Sequence, residues 1–137
     1  MGKKSITKKP RVIPAEGSPV VLFVDDEPTA IVAFERLFRG EGIKILTAPS
    51  ALHAFDILKR ELVHLVVSDY LLPGMLGTAL LDEVARQYPN TGRMILTGVA
   101  DSDMVVEAKR HQVLTKDMHP PLIRRMVLRE VRRHAAR

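Results

Sequence analysis

His64-Leu65-Val66-Val67-Ser68-Asp69-Tyr70-Leu71-Leu72-Pro73-Gly74-Met75-Leu76-Gly77 is the stretch from which the fold is read. Its apolar, partly β-branched run predicts a strand buried on both faces, the kind found in parallel sheets. The Pro73-Gly74 breaker ends that run, so the chain leaves the sheet just beyond Asp69. In open α/β sheets, ligands sit where strands exit. A single carboxylate carried to such an exit is either chemistry or a helix cap, and the neighbouring stretches separate the two.

Working outward, Val20 to Val24 is a second apolar run, ending in Asp25-Asp26-Glu27-Pro28. Pro28 suits the first turn of a helix. Ile31, Phe34, Leu37 and Phe38 then recur at helical spacing, and Gly40 and Gly42 close that helix. Ile43 to Ala48 predicts a strand. Ser50 is a candidate N-cap for a helix packing through Ala51, Ala54, Phe55 and Leu58. Gly77 to Tyr88 reads as a helix buried through Leu80, Leu81 and Val84. Arg93 to Gly98 reads as the fourth strand, and Asp101 or Ser102 as the cap of a short fourth helix through Val105 and Ala108. Gln112 to Lys116 is the fifth strand. Pro120-Pro121 opens the last helix, with Ile123, Met126, Val127 and Val131 inward and Arg125, Arg129, Arg132 and Arg133 outward. Strands alternating with helices in this way imply an α/β domain, a parallel sheet with helices on both faces. Right-handed crossovers then bring Asp25, Asp26, Asp69, Thr97 and Lys116 to one edge.

The chain has 137 residues, 46% apolar and 27% charged, the balance of a single globular domain. It contains no cysteine, which excludes thiol catalysis and cysteine metal sites and agrees with a cytoplasmic location. No apolar run is long enough to span a membrane. The net charge of +5 is unevenly placed. Residues 1–17 carry +4 and residues 120–137 carry +5, leaving the body between them at −4. That division gives a basic N-terminal arm over residues 1–17 and a folded domain over residues 18–137. It argues against a nucleic-acid interface spread over the fold. The five histidines, His53, His64, His111, His119 and His134, show no metal-ligand spacing. Asp101 and Asp103 read as helix-capping residues.

Carboxylates converging at one edge repel one another unless a cation sits among them. A hard divalent ion held by oxygens, Mg²⁺, answers that need. The Lys116 ammonium supplies a point charge suited to a phosphoryl oxygen, and the Thr97 hydroxyl one hydrogen bond to the same group. Together they make a phosphoryl-accepting site in which Asp69 is the nucleophile.

Four motifs now stand in order: Val24-Asp25-Asp26-Glu27; Ser68-Asp69 with Leu72-Pro73-Gly74-Met75 and Gly77; Leu96-Thr97-Gly98; and Leu114-Thr115-Lys116. Over about residues 18–133, the sequence resembles the receiver domain of bacterial two-component response regulators, of single-domain type. The resemblance implies a flavodoxin-like, doubly wound, five-stranded (βα)5 fold. It implies Asp69 as phospho-acceptor, Thr97 as switch hydroxyl and Lys116 as phosphoryl-pairing lysine. Asp25, Asp26, Asp69 and the Leu71 backbone carbonyl are implied as the Mg²⁺ site. It implies a histidine kinase or phosphotransfer protein as donor, and a switching face made of the fourth helix, fifth strand and fifth helix. That face is also where a homodimer would form. Neither an output DNA-binding domain nor an enzymatic activity beyond self-phosphotransfer is expected. Two positions depart from the pattern. Val113 stands where the family places an aromatic, and Asp117 follows the lysine where the family has a proline joined through a cis bond. A non-proline cis bond costs about 3–4 kcal/mol, so a trans bond or a rebuilt loop is expected.

The alternatives are a docking module that binds without phosphate, a receiver portion of a longer regulator, and a small phosphohydrolase. Haloacid-dehalogenase-type hydrolases need Asp-x-Asp after the first strand, and two positions after Asp25 stands Glu27.

Overall fold

The computed structural model describes residues 17–98 and 111–136. The sequence-read fourth helix and most of the N-terminal arm lie outside them. Strands β1 (Val20–Val24), β2 (Lys44–Ala48) and β3 (Leu65–Ser68) precede a two-residue hairpin, β4 (Leu71–Leu72) with β5 (Met75–Leu76). Strands β6 (Gly92–Thr97) and β7 (Gln112–Thr115) follow. The five longer strands form one sheet in the order β2-β1-β3-β6-β7, every pairing parallel. The chain steps from β1 outward to β2 and returns on the other side as β3. The strand order therefore reverses between β1 and β3, and a crevice opens at such a point.

Alternation along the strands sorts the core into two layers. Val21 and Phe23 of β1, Leu65 and Val67 of β3, and Met94 and Leu96 of β6 pack on one face. They meet Phe34 of helix α1 (Pro28–Leu37), and Ile123, Val127, Leu128 and Val131 of the C-terminal helix (Pro120–Ala135). Leu22, Val24, Val66 and Ile95 point to the opposite face. There they meet Ala54 and Leu58 of helix α2 (Ala51–Arg60), and Leu80, Leu81 and Val84 of helix α3 (Gly77–Gln87). Because both faces are covered, the strands carry apolar side chains at successive positions rather than at alternate ones. Phe23 stacks on Phe34 with ring centroids 4.0 Å apart, tying β1 to α1. Each fully buried Phe or Leu contributes about 1.5–3 kcal/mol relative to exposure.

Local chemistry sets the element ends. Pro28 opens α1, and Ser50 caps α2 by accepting the His53 N–H at 3.2 Å. The expected end of the first helix holds, with Gly40 and Gly42 at φ +80° and +76°. Strand β2 begins at Lys44, one residue later than the apolar run implied, and Ile43 is buried just outside it. The outward arginines Arg125, Arg129, Arg132 and Arg133 are exposed as expected. Among the described residues no helix is long and apolar enough to cross a membrane.

Candidate functional site

The exit ends of β1, β3, β6 and β7 form an acidic rim with one ammonium in it. Asp25, directly after β1, is fully buried, and Asp69, directly after β3, is 9% exposed. Main-chain bonds hold both there: the Asp25 N–H donates to the Ala48 carbonyl at 3.1 Å, and the Asp69 N–H to the Val24 carbonyl at 2.9 Å. Asp26 is exposed beside them. One carboxylate oxygen from each of Asp25, Asp26 and Asp69 lies within 4.8 Å of the others. The three carboxylates predicted to converge do converge, across 44 residues of chain.

Lys116, one residue past β7, points into this group. Its Nζ lies 2.7 Å from Asp25 Oδ2, 3.5 Å from Asp69 Oδ2 and 3.9 Å from Glu27 Oε1. Burial works against the charge on Lys116. The hydrogen bond to Asp25 and the charges of Asp25, Asp69 and Glu27 outweigh it and hold the ammonium above the ordinary lysine pKa. Three carboxylates thus face one lysine and Asp26 lies beside them, leaving a formal excess of negative charge suited to a divalent cation. The donor set, three carboxylates and no sulfur or imidazole, is that of a hard ion such as Mg²⁺.

Asp25 and Asp69 each have one oxygen committed to the main chain and one turned to the site. Asp25 Oδ1 accepts the Glu27 N–H at 2.9 Å, which leaves Oδ2 to Lys116. Asp69 Oδ1 accepts the Tyr70 N–H at 2.7 Å, and its Oδ2 is the oxygen that faces Lys116. Neither aspartate caps α1, since Glu27 occupies the N-cap position without a side-chain bond. Thr97, the last residue of β6, is fully buried, and its carbonyl accepts the Lys116 N–H at 2.8 Å. Leu71 begins the hairpin two residues after Asp69 and is 49% exposed.

Three of the quoted motif elements have contacts that the sequence reading did not assign. Gly77 opens α3 against the back of Asp69: a Cβ placed on it would stand 1.9 Å from the Asp69 carbonyl oxygen. Only glycine fits there. The buried Ser68 hydroxyl donates to that same carbonyl at 2.8 Å. The Pro73-Gly74 breaker proves to be the turn of the β4–β5 hairpin, with Gly74 at φ +78°. Proline followed by a positive-φ glycine is the pattern of a type II turn. The glycine at the head of the helix was the available signal. Nothing local marks the Ser68 contact.

On the β7 side the two departures from pattern are visible. Val113 is half-buried and packs against the α2–α3 layer, and the Lys116–Asp117 bond is trans, as expected. Tyr70 and Tyr88 pack against the same layer. Asp101, Asp103 and the fourth helix lie outside the described residues. Among those described, Asp25, Asp26 and Asp69 form the one group of three or more metal-capable side chains, and no histidine joins it.

Residues 21–128 match the model of the response regulator receiver domain, and the chain belongs to that family. The hydrogenase transcriptional regulatory protein HoxA of Bradyrhizobium diazoefficiens is 32% identical over 104 residues, 73% of this chain and 21% of that regulator. Sporulation initiation phosphotransferase F of Bacillus subtilis is 31% identical over 100 residues, 73% of this chain and 81% of that protein. The chain thus spans about a fifth of the length of the hydrogenase regulators it matches. Among solved structures, the signal receiver domain of an HD domain-containing protein from Pseudomonas fluorescens Pf-5 is similar at a TM-score of 0.79 and 28% identity. That match covers 87% of this chain and 98% of the other. The five-stranded parallel sheet with helices on both faces is the flavodoxin-like receiver fold. Receiver domains bind Mg²⁺ through acidic residues and interact with histidine kinases or phosphotransfer proteins as a class.

Proposed function

We propose that this chain is a phosphoryl-accepting switch in which Asp69 takes the phosphoryl group from a phosphohistidine of a kinase or phosphotransfer protein. The observation that carries the reading is the shared rim: three carboxylates within 4.8 Å of one another, with Lys116 Nζ 3.5 Å from Asp69. Asp69 Oδ2 attacks phosphorus, the P–N bond to the donor imidazole breaks, and its electron pair returns to the ring nitrogen. The product on Asp69 is an acyl phosphate. Asp25, Asp26, Asp69 and the Leu71 carbonyl would hold Mg²⁺, which would supply positive charge against carboxylate repulsion and the incoming phosphoryl charge. Lys116 pairs with a phosphoryl oxygen and the Thr97 hydroxyl donates to another. The chemistry ends with the protein's own modification, and output follows through the fourth-helix, fifth-strand, fifth-helix face to a protein partner or a second copy.

The test is incubation with phosphoramidate and Mg²⁺, read by intact mass. Wild type is expected to gain one phosphoryl group, and Asp69→Ala none. Equal gain by both proteins would refute Asp69 as the acceptor.

A further inference from the structure

Lys116 holds its place without the proline that follows the corresponding lysine in the sequence pattern, so something else fixes the chain around it. On one side its N–H donates to the Thr97 carbonyl at 2.8 Å. On the other, residues 115–118 close a hydrogen-bonded turn with the Met118 N–H donating to the Thr115 carbonyl at 3.0 Å. The Thr115 N–H reaches Met118 Sδ at 3.4 Å, and Met118 packs against the α1-side core. Within the turn, the Thr115 hydroxyl donates to Asp117 Oδ1. Asp117 is exposed and makes no ion pair among those resolved for Lys116, whose carboxylate partners are Asp25, Asp69 and Glu27.

We propose that Asp117 is a positioning residue for Lys116: by accepting the Thr115 hydroxyl it clasps the turn that aims the ammonium at Asp25 and Asp69. Lysine is a point charge on a flexible four-carbon stem, so the direction of its Cα–Cβ bond must be fixed by the backbone. Displacement of a reacting group by about 1 Å is enough to slow a reaction strongly. Thr115 lies beside Thr97 in the β6–β7 register, so the clasp also borders the hydroxyl assigned to the phosphoryl group. The inference rests on the phosphoryl-acceptor reading above and adds to it which residue replaces the missing proline.

The experiment measures the saturating rate of phosphorylation by phosphoramidate and, separately, the Mg²⁺ concentration giving half the maximal rate. Asp117→Ala and Thr115→Val are each expected to lower the saturating rate about fivefold, the scale of one lost hydrogen bond. The double variant is expected to be no slower than either single one, because both remove the same contact. Asp117→Asn and Thr115→Ser, which keep acceptor and donor, are expected to restore most of the rate. In a Lys116→Ala background, Asp117→Ala is expected to add nothing. The Mg²⁺ requirement is expected not to rise, since the carboxylates are untouched and a looser ammonium competes less for Asp25 Oδ2. A wild-type rate in Asp117→Ala overturns the clasp and leaves the acceptor reading intact, as does a further loss on top of Lys116→Ala. A parallel loss of Mg²⁺ affinity also overturns it, showing general loosening. Wild type that takes up no phosphoryl group overturns the acceptor reading, and the positioning role falls with it.

Discussion

The two ends of the same sheet are built on opposite terms. At the exit ends of the strands, Asp25, Asp69 and Lys116 crowd together, and charge is kept where burial penalises it. At the entry ends the polar groups make hydrogen bonds to the main chain. His64, one residue before β3, accepts the Val20 N–H on Nδ1 at 2.9 Å. His134 lies over Gly92 and its Nδ1 donates to the Asn90 carbonyl at 3.2 Å. The Thr91 hydroxyl donates to the Val63 carbonyl at 2.9 Å. The entry end spends its polar groups on closing the fold, whereas the exit end keeps its charges available to a ligand.

A pair of glycines sharpens the contrast most. Gly77→Ala drives a Cβ into the main chain of Asp69, at 1.9 Å from the carbonyl oxygen, and main chain cannot step aside without moving the acceptor. We expect about 3 kcal/mol of lost stability by urea denaturation, with phosphorylation lost as well. Gly92→Ala also clashes, at 2.4 Å, but with the ring of His134 near the end of the C-terminal helix. That ring can turn away, so about 1 kcal/mol is expected and phosphorylation should survive. Equal costs, or a functional loss at Gly92, would erase the distinction between the ends.

Lys116→Met comes next. It leaves the buried Asp25 Oδ2 without its 2.7 Å partner, a loss of about 2 kcal/mol in metal-free buffer. Saturating Mg²⁺ should restore most of that stability, because the ion takes over the same oxygens, while the phosphorylation rate stays low. A variant that Mg²⁺ fails to stabilise would show that the lysine, and not charge balance at the rim, is what the fold requires.

The smallest expected effect is in pH. Burial first, and the neighbouring His134 charge second, lower the pKa of His64 below its ordinary 6.5. The folded state therefore favours the neutral ring. Its contribution is complete above about pH 6.5 and declines as pH falls from there toward the lowered folded value. At the exit end the sign reverses. The raised Lys116 value gives stability that is complete below the ordinary 10.5 and fades as pH rises through the folded value. Urea midpoints across pH should then slope downward in acid for wild type, and His64→Gln should flatten that limb. An unchanged acid limb in the variant would remove His64 from the account.

How much of this was legible follows from what a periodic pattern records. Burial on two faces writes itself into runs such as Val20–Val24 and Leu65–Ser68, so the parallel sheet and its exits were readable. With the exits placed, the meeting of Asp25, Asp26 and Asp69 followed. The β4–β5 hairpin was not readable as strands, because two residues have no period. The approach of Gly77 to Asp69 and the pairing of Lys116 with Asp25, 91 residues apart, depend on distances that no local pattern encodes. The Thr115–Asp117 contact is local but lies in a turn where the family pattern leads one to expect proline.

The most direct test of the account locates the phosphoryl group. Protein treated with phosphoramidate and Mg²⁺ is reduced with borohydride, which converts an aspartyl phosphate to homoserine, and its peptides are sequenced by mass spectrometry. Homoserine is expected at position 69 alone, and none when Mg²⁺ is withheld. Homoserine at 25 or 26, or full labelling of position 69 without a divalent ion, would contradict it.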